Sequence, residues 1–137
     1  MIGPVPPAKI IHIDSGNRSD ISEKNTIKAL KKIPDEHRLA VISFNDDAAL
    51  GALLAAQKVN REKDVVIIGQ GADRMIRPEI RRPEAQVIGS TAYMPEKYGQ
   101  RLIELAVKIL RGEPVPPAVY TDHTFITAEN IDLFYPE

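Results

Sequence analysis

Short apolar runs alternate along the chain with longer amphipathic segments. Runs such as "LAVISF" (39–44) and "DVVIIG" (64–69) are almost wholly apolar, which is typical of strands buried on both faces. The full pattern predicts strands at residues 9–13, 39–44, 64–69 and 85–90, an edge strand at 119–121, helices at 21–33, 46–59 and 95–110, and short helices within 72–83 and near Ala128. Because helices separate the strands, we expect an α/β fold with three layers, a parallel sheet with helices on both faces.

The helix predicted at residues 95–110 has the clearest amphipathic pattern. Pro95 suits a first helical turn, and Gly112 suits the residue after the helix. One face consists of apolar side chains at helical spacing, and Val107 and Leu110 broaden it: Tyr98, Leu102, Leu105, Ala106 and Ile109. A stripe this wide predicts that the helix packs against a large apolar surface.

Polar side chains follow three of the predicted strands. They lie in "NDD" (45–47), "GQGAD" (69–73) and "STAYMPE" (90–96). In open parallel sheets, ligands bind outside the carboxyl ends of the strands, so these segments are expected to share one rim. Asn45 and Gln70 each offer a donor and an acceptor, and Tyr93 offers a hydroxyl on an aromatic ring, which suits a neutral ligand rich in hydroxyl groups.

Asn45 and Asp46 also have a structural interpretation. Short polar side chains at a helix start commonly accept hydrogen bonds from free backbone N–H groups, so either residue could cap the helix that begins here. Taken by themselves, the residues favour capping over ligand contact. One of the two could cap the helix while the other faces a ligand.

Composition excludes several other functions. The chain has 137 residues, 43% of them hydrophobic, which is the size of one domain. Eighteen basic and nineteen acidic residues leave no basic stripe for nucleic acid, and there is no cysteine. The N-terminus carries no signal-peptide pattern, and no apolar run is long enough to span a membrane.

No arrangement of residues predicts catalysis or a cofactor. Asp46 and Asp47 are adjacent on one helix and therefore diverge, which makes them a poor acid–base pair. The histidines are scattered without metal-ligand spacing, and "GQGAD" lacks the third glycine of a dinucleotide-binding loop. We therefore expect a protein that is not an enzyme, with no cofactor and no metal.

Four segments together resemble the C-terminal portion of the type-1 periplasmic sugar-binding proteins of ABC transporters. They are "FNDDAALGALLA", "VVIIGQGAD", "RRPEAQVIGSTAYMPEKYGQRLIELAVKILRG" and "TFITAENIDLFYP". The resemblance covers nearly the whole chain and implies a partial periplasmic-binding-protein lobe, which is Rossmann-like. The ligand-binding residues predicted for the sugar site are Asn45, Asp46, Gln70, Gly71 and Tyr93. Many members have an aspartate where this chain has Gly71, so the resemblance leaves the identity of the sugar open.

The resemblance changes the interpretation of Asn45, for which the residues alone favour helix capping. It favours ligand contact for Asn45 and capping for Asp46. The function it implies is a non-catalytic carbohydrate-binding component of an ABC transport system, periplasmic and partnered by a permease. The alternative is the effector domain of a lactose-repressor-type regulator, which has the same fold. The C-terminal segment "NIDLFYPE" differs from the usual regulator ending and favours the transport interpretation.

The resemblance also implies that this sequence lacks parts of the two-lobed family fold. The first lobe is absent from this sequence, and residues 9–13 match the second strand of the second lobe rather than its first. Residues 1–94 are then an incomplete sugar-binding subdomain, and residues 95–137 a helix and tail that return to the first lobe. The uncovered helix and the incomplete sheet predict self-association as a homodimer, with or without exchange of the C-terminal helix between the two copies.

Overall fold

The computed structural model describes residues 3–137, which form one sheet and five α-helices. The strands are β1 (Leu39–Ile42), β2 (Val65–Gly71), β3 (Val87–Ala92) and β4 (Thr124–Ile126). The helices are α1 (Ser19–Lys32), α2 (Asp46–Lys58), α3 (Arg77–Arg81), α4 (Tyr98–Leu110) and α5 (Ile131–Phe134). Short 3-10 turns lie at Pro7–Lys9, Glu62–Asp64 and Pro95–Lys97.

The sheet follows the order of the sequence. Its strands run β1-β2-β3-β4, the first three parallel and β4 antiparallel to β3. The α/β class and the mostly parallel sheet are confirmed. Because β1, β2 and β3 point the same way, their carboxyl ends meet at one edge, as the sequence predicts.

One face of the sheet is covered and carries the core. The buried side chains of Ile67, Val87 and Ile126 pack with alanines of α2 and with Ile76, Ile80 and Ile131. Helix α1 lies against α2, where the Ser22 hydroxyl donates to the Ala48 carbonyl at 2.7 Å. Pro78 is the second residue of α3 and lies in its first turn, where a missing N–H costs nothing, so the proline is compatible with this helix.

The opposite face of the sheet is largely open among the described residues. Side chains alternate along a strand, so Ile42, Val66, Ile88 and Phe125 point away from the core. All four are exposed, Ile42 by 76%. The helix layer expected on both faces is therefore complete on one face only.

Two predicted strands are wrong. Residues 9–13 form no strand, and Ile10 and Ile11 are about half exposed, because this segment has no strand beside it with which to pair. The last strand lies at Thr124–Ile126 instead of residues 119–121, where two prolines just precede and no pairing forms. The final helix begins at Ile131, slightly beyond the position predicted near Ala128.

Helix α4 is confirmed, but it buries none of its side chains. Leu102, Ile103, Ile109 and Leu110 are all more than 60% exposed. The broad apolar face predicted from the sequence is thus uncovered by residues 3–137.

Candidate functional site

Three candidate side chains lie at the carboxyl edge of the parallel strands. Asn45 follows β1, Gln70 lies near the end of β2, and Tyr93 directly follows β3. The Tyr93 hydroxyl donates to Oε1 of Gln70 at 2.7 Å, so two of the candidates are in direct contact. Asn45 lies one strand further along and bonds to other partners.

Asn45 is the N-cap of α2. Its Oδ1 accepts from the Ala48 N–H at 2.8 Å, and its Nδ2 donates to the Asn17 carbonyl at 3.3 Å. The prediction that Asp46 is the cap is therefore wrong, since the cap is its neighbour. A side-chain amide has two N–H donors and two acceptor lone pairs, so Asn45 keeps one of each for a ligand at the half-exposed surface.

Asp46 is buried, with 1% of its surface exposed. Its Oδ1 accepts from the Ser90 hydroxyl at 2.6 Å, and its Oδ2 accepts from the Asp73 N–H at 2.8 Å. Both oxygens therefore point into the protein, where they join α2 to the ends of β2 and β3. This placement speaks against the direct ligand contact predicted for Asp46.

Two glycines leave room for the Asp46 carboxylate. A Cβ on Gly69 would lie 2.3 Å from Oδ1 of Asp46, and a Cβ on Gly71 would lie 2.8 Å from Oδ2. Gly69 and Gly71 project to the same side of β2, whereas Gln70 between them projects to the other side. The "GQG" sequence thus accommodates an internal carboxylate on one side and presents an amide on the other.

The surroundings of Asp46 act on its proton affinity in both directions. Burial raises the pKa of the Asp46 carboxyl above its usual 3.8, and the nearby Asp73 carboxylate adds to this effect. The hydrogen bonds from Ser90 and from the Asp73 N–H favour the ionised form and offset part of the increase in pKa.

Neighbouring aromatic residues fix the position of Tyr93. The Tyr93 ring meets the His123 ring edge to face, with centroids 4.9 Å apart, and the Tyr98 hydroxyl donates to the Tyr93 carbonyl. Tyr93 also borders an open groove of about 270 Å³, which Tyr120 and Phe134 line as well. The sequence indicates only a scattered surface histidine at position 123, because the long separation from Tyr93 hides their contact.

Neither a candidate metal site nor a candidate membrane-spanning helix is found among residues 3–137. No group of three or more histidine, aspartate or glutamate side chains lies close enough to hold a metal ion. In the same part of the chain, no helix combines the length and the apolar character needed to cross a bilayer.

The fold is that of the periplasmic solute-binding proteins of ABC transporters. A solute-binding protein from Agrobacterium vitis with bound allitol superposes with a TM-score of 0.79 at 17% identity, covering 91% of this chain and 43% of that one. One from Actinobacillus succinogenes with bound D-allose gives a TM-score of 0.78 at 18% identity, over 88% of this chain and 41% of that one. The expected resemblance in fold is confirmed.

Similarity in sequence points to the same class. The ribose import binding protein of Salmonella typhimurium is 34% identical over 76 residues, 56% of this chain. The chain spans about a quarter of the length of the curated relatives it matches, 25% in each case. No family model matches the chain. These similarities favour the transport interpretation over the regulator interpretation.

Proposed function

We propose that this chain is part of the carbohydrate-binding lobe of an extracytoplasmic solute receptor that serves an ABC permease. The observation that carries the proposal is the juxtaposition of Asn45, Gln70 and Tyr93 at the carboxyl ends of three adjacent parallel strands. Ligands bind at this edge in open α/β sheets. The sugar-binding relatives support a carbohydrate as the ligand.

Each side chain has a defined part in the proposed site. Asn45 contributes the donor and acceptor that capping leaves unused, and the Gln70 amide keeps its two N–H donors because Tyr93 bonds to its oxygen. The Tyr93 ring offers an apolar surface for the face of a sugar. Gly71 contributes only backbone, because the Asp46 carboxylate fills the space where its side chain would lie.

The proposed activity is binding without turnover. Amide and phenol groups at the rim can orient hydroxyl groups, and no nucleophile paired with a base lies among them. Release of the bound sugar to a permease would complete the cycle of the receptor.

The division of the chain between two lobes is also a proposal. Residues 1–94 would belong to the second lobe and residues 95–137 would return to the first. Two observations support the boundary: Met94 has a left-handed φ of 51°, and the helix that follows buries none of its side chains. A single lobe supplies about half of the contacts of a closed site, so we expect weak sugar binding by this chain.

We further propose that the 137-residue chain forms a homodimer through α4. Within the described part of the chain, no sheet covers the apolar face of α4, which carries Leu102 and Ile109, and no helix covers the open face of the sheet, which carries Ile42 and Val66. A second copy supplies the missing partner for each surface through one two-fold axis. Exchange of α4 between copies would cover both surfaces at once.

Substitution of Asn45 tests the proposed site. Asn45→Ala should weaken sugar binding by about 1–3 kcal/mol, because ligand hydroxyl groups lose their partner. Isothermal titration calorimetry under low-affinity conditions, with D-ribose, D-allose and allitol, measures the change. Heat flow that stays above the baseline after each injection, and is absent when sugar is injected into buffer, would indicate turnover and contradict a binding function.

A second variant separates ligand contact from helix capping. Asn45→Ser keeps a good cap but removes the amide, so it should retain most of the stability and lose the same binding energy. Asn45→Ala should lose about 1 kcal/mol of stability as well. Unchanged affinity in both variants would remove Asn45 from the site.

A further inference from the structure

We infer that Asp46 is a positioning residue of the rim, whose buried carboxylate holds the turn after β2 so that Gln70 meets Tyr93. The inference deepens the proposed sugar site and rests on it. It assigns Asp46 a role behind the ligand surface, in contact with the segments that carry the ligand contacts.

The turn after β2 has an unusual backbone. Gly71 has a φ of 131° and Ala72 a φ of 51°, so two consecutive residues lie in the left-handed half of the conformational map. For a residue with a side chain this conformation costs about 1 kcal/mol or more, so surrounding contacts must impose it.

Asp46 and Ser90 supply those contacts. The Asp73 N–H donates directly to Oδ2 of Asp46 at 2.8 Å. The Ala72 N–H donates to the Ser90 hydroxyl at 3.0 Å, which in turn donates to Oδ1 of Asp46 at 2.6 Å. One carboxylate therefore orders both N–H groups of the turn, one directly and one through a serine.

The same carboxylate connects the three elements that carry the proposed ligand contacts. Asp46 is adjacent to Asn45 on α2, its Asp73 contact closes the turn that begins after Gln70, and Ser90 lies on β3 three residues before Tyr93. Asp46 therefore holds these three elements together, and this keeps the Tyr93 hydroxyl 2.7 Å from Oε1 of Gln70 at the ends of their strands.

A carboxylate is better suited to this position than an amide. Two donors point at two different oxygens, and an ionised carboxylate accepts at both. Asparagine has one acceptor oxygen, so Asp46→Asn forces an N–H group toward the Ser90 hydroxyl or the Asp73 N–H. The charged hydrogen bonds are also stronger than neutral ones.

Hydrogen exchange followed by NMR tests the inference on the intact chain. Asp46→Asn should accelerate exchange of the Ala72 and Asp73 amides by about tenfold relative to amides in the centre of α2. Ser90→Ala should accelerate the Ala72 amide and affect Asp73 less, since Asp73 keeps its direct bond. Asp47→Asn makes the same change of charge one residue away at an exposed position and should leave both amides within about twofold.

Sugar titrations on the same variants, with D-ribose, D-allose and allitol, complete the test. Asp46→Asn should weaken binding about tenfold while Asp47→Asn leaves it unchanged. If Asp46→Asn fails to fold, the exchange rate of the Ala72 amide in Ser90→Ala tests the inference by itself. Unchanged exchange of Ala72 and Asp73 in the folded variants would overturn the inference. Wild-type protein that binds none of the sugars, with the exchange pattern as expected, would contradict the proposed function and leave the positioning of the turn established.

Discussion

Replacing Gly69 with alanine should lower the free energy of unfolding by about 2–4 kcal/mol. The new Cβ would lie 2.3 Å from Oδ1 of Asp46 and 2.8 Å from Cδ1 of Ile76. The carboxylate would have to move away from Ser90, and a buried charge would lose one of its two hydrogen bonds. Chemical denaturation measures the loss.

Gly99→Ala is the matched control for this substitution. Gly99 lies in α4, and a methyl group added there would meet no heavy atom within 4 Å, so alanine should stabilise the helix by up to about 1 kcal/mol. The two substitutions are chemically identical and should have opposite signs. Equal effects would contradict the close packing of Gly69 against Asp46.

Placing two lysines on the apolar face of α4 should convert the dimer into a monomer. Leu102→Lys with Ile109→Lys puts charge into the proposed interface, and both residues are exposed within one chain, so the fold itself should persist. Light scattering coupled to size exclusion should give twice 15.2 kDa for the wild-type chain and 15.2 kDa for the variant.

The polar face of α4 provides the control for charge. Gln100→Lys with Glu104→Gln changes the net charge by the same two units, by adding one positive charge and removing one negative charge on the side of the helix away from Leu102 and Ile109, and this variant should remain a dimer. A wild-type monomer at tens of micromolar would show that the chain tolerates its exposed apolar surfaces. It would contradict the proposed homodimer.

The main elements of the fold could be predicted because their patterns are local. The apolar runs that form β1, β2 and β3 are short and continuous, and α2 and α4 have clear starts and regular spacing. The strand predicted at residues 9–13 is absent for a non-local reason. Its apolar residues match a strand pattern, yet a strand needs a neighbour, and β1 presents its edge to no strand among residues 3–137.

The details of the site depend on residues far apart in the chain. Asn45 and Asp46 are equally good caps by residue type, and only the contact of Asp46 with Ser90, 44 positions away, decides between them. The glycines at 69 and 71 are visible in the sequence, but the reason why these positions require glycine is not. The reason is found only in the folded structure, where α2 places the Asp46 carboxylate against the side of β2 that carries the two glycines.

A sugar titration followed by amide chemical shifts tests the central claim most directly. D-ribose, D-allose and allitol are added to the isotope-labelled chain up to concentrations that saturate weak binding. The account predicts saturable shifts at Asn45, at residues 70–73 and at Tyr93, at one common affinity. Shifts confined to other surfaces, such as the groove of about 240 Å³ between residues 11–14 and α1, would contradict it, as would the absence of shifts with every sugar.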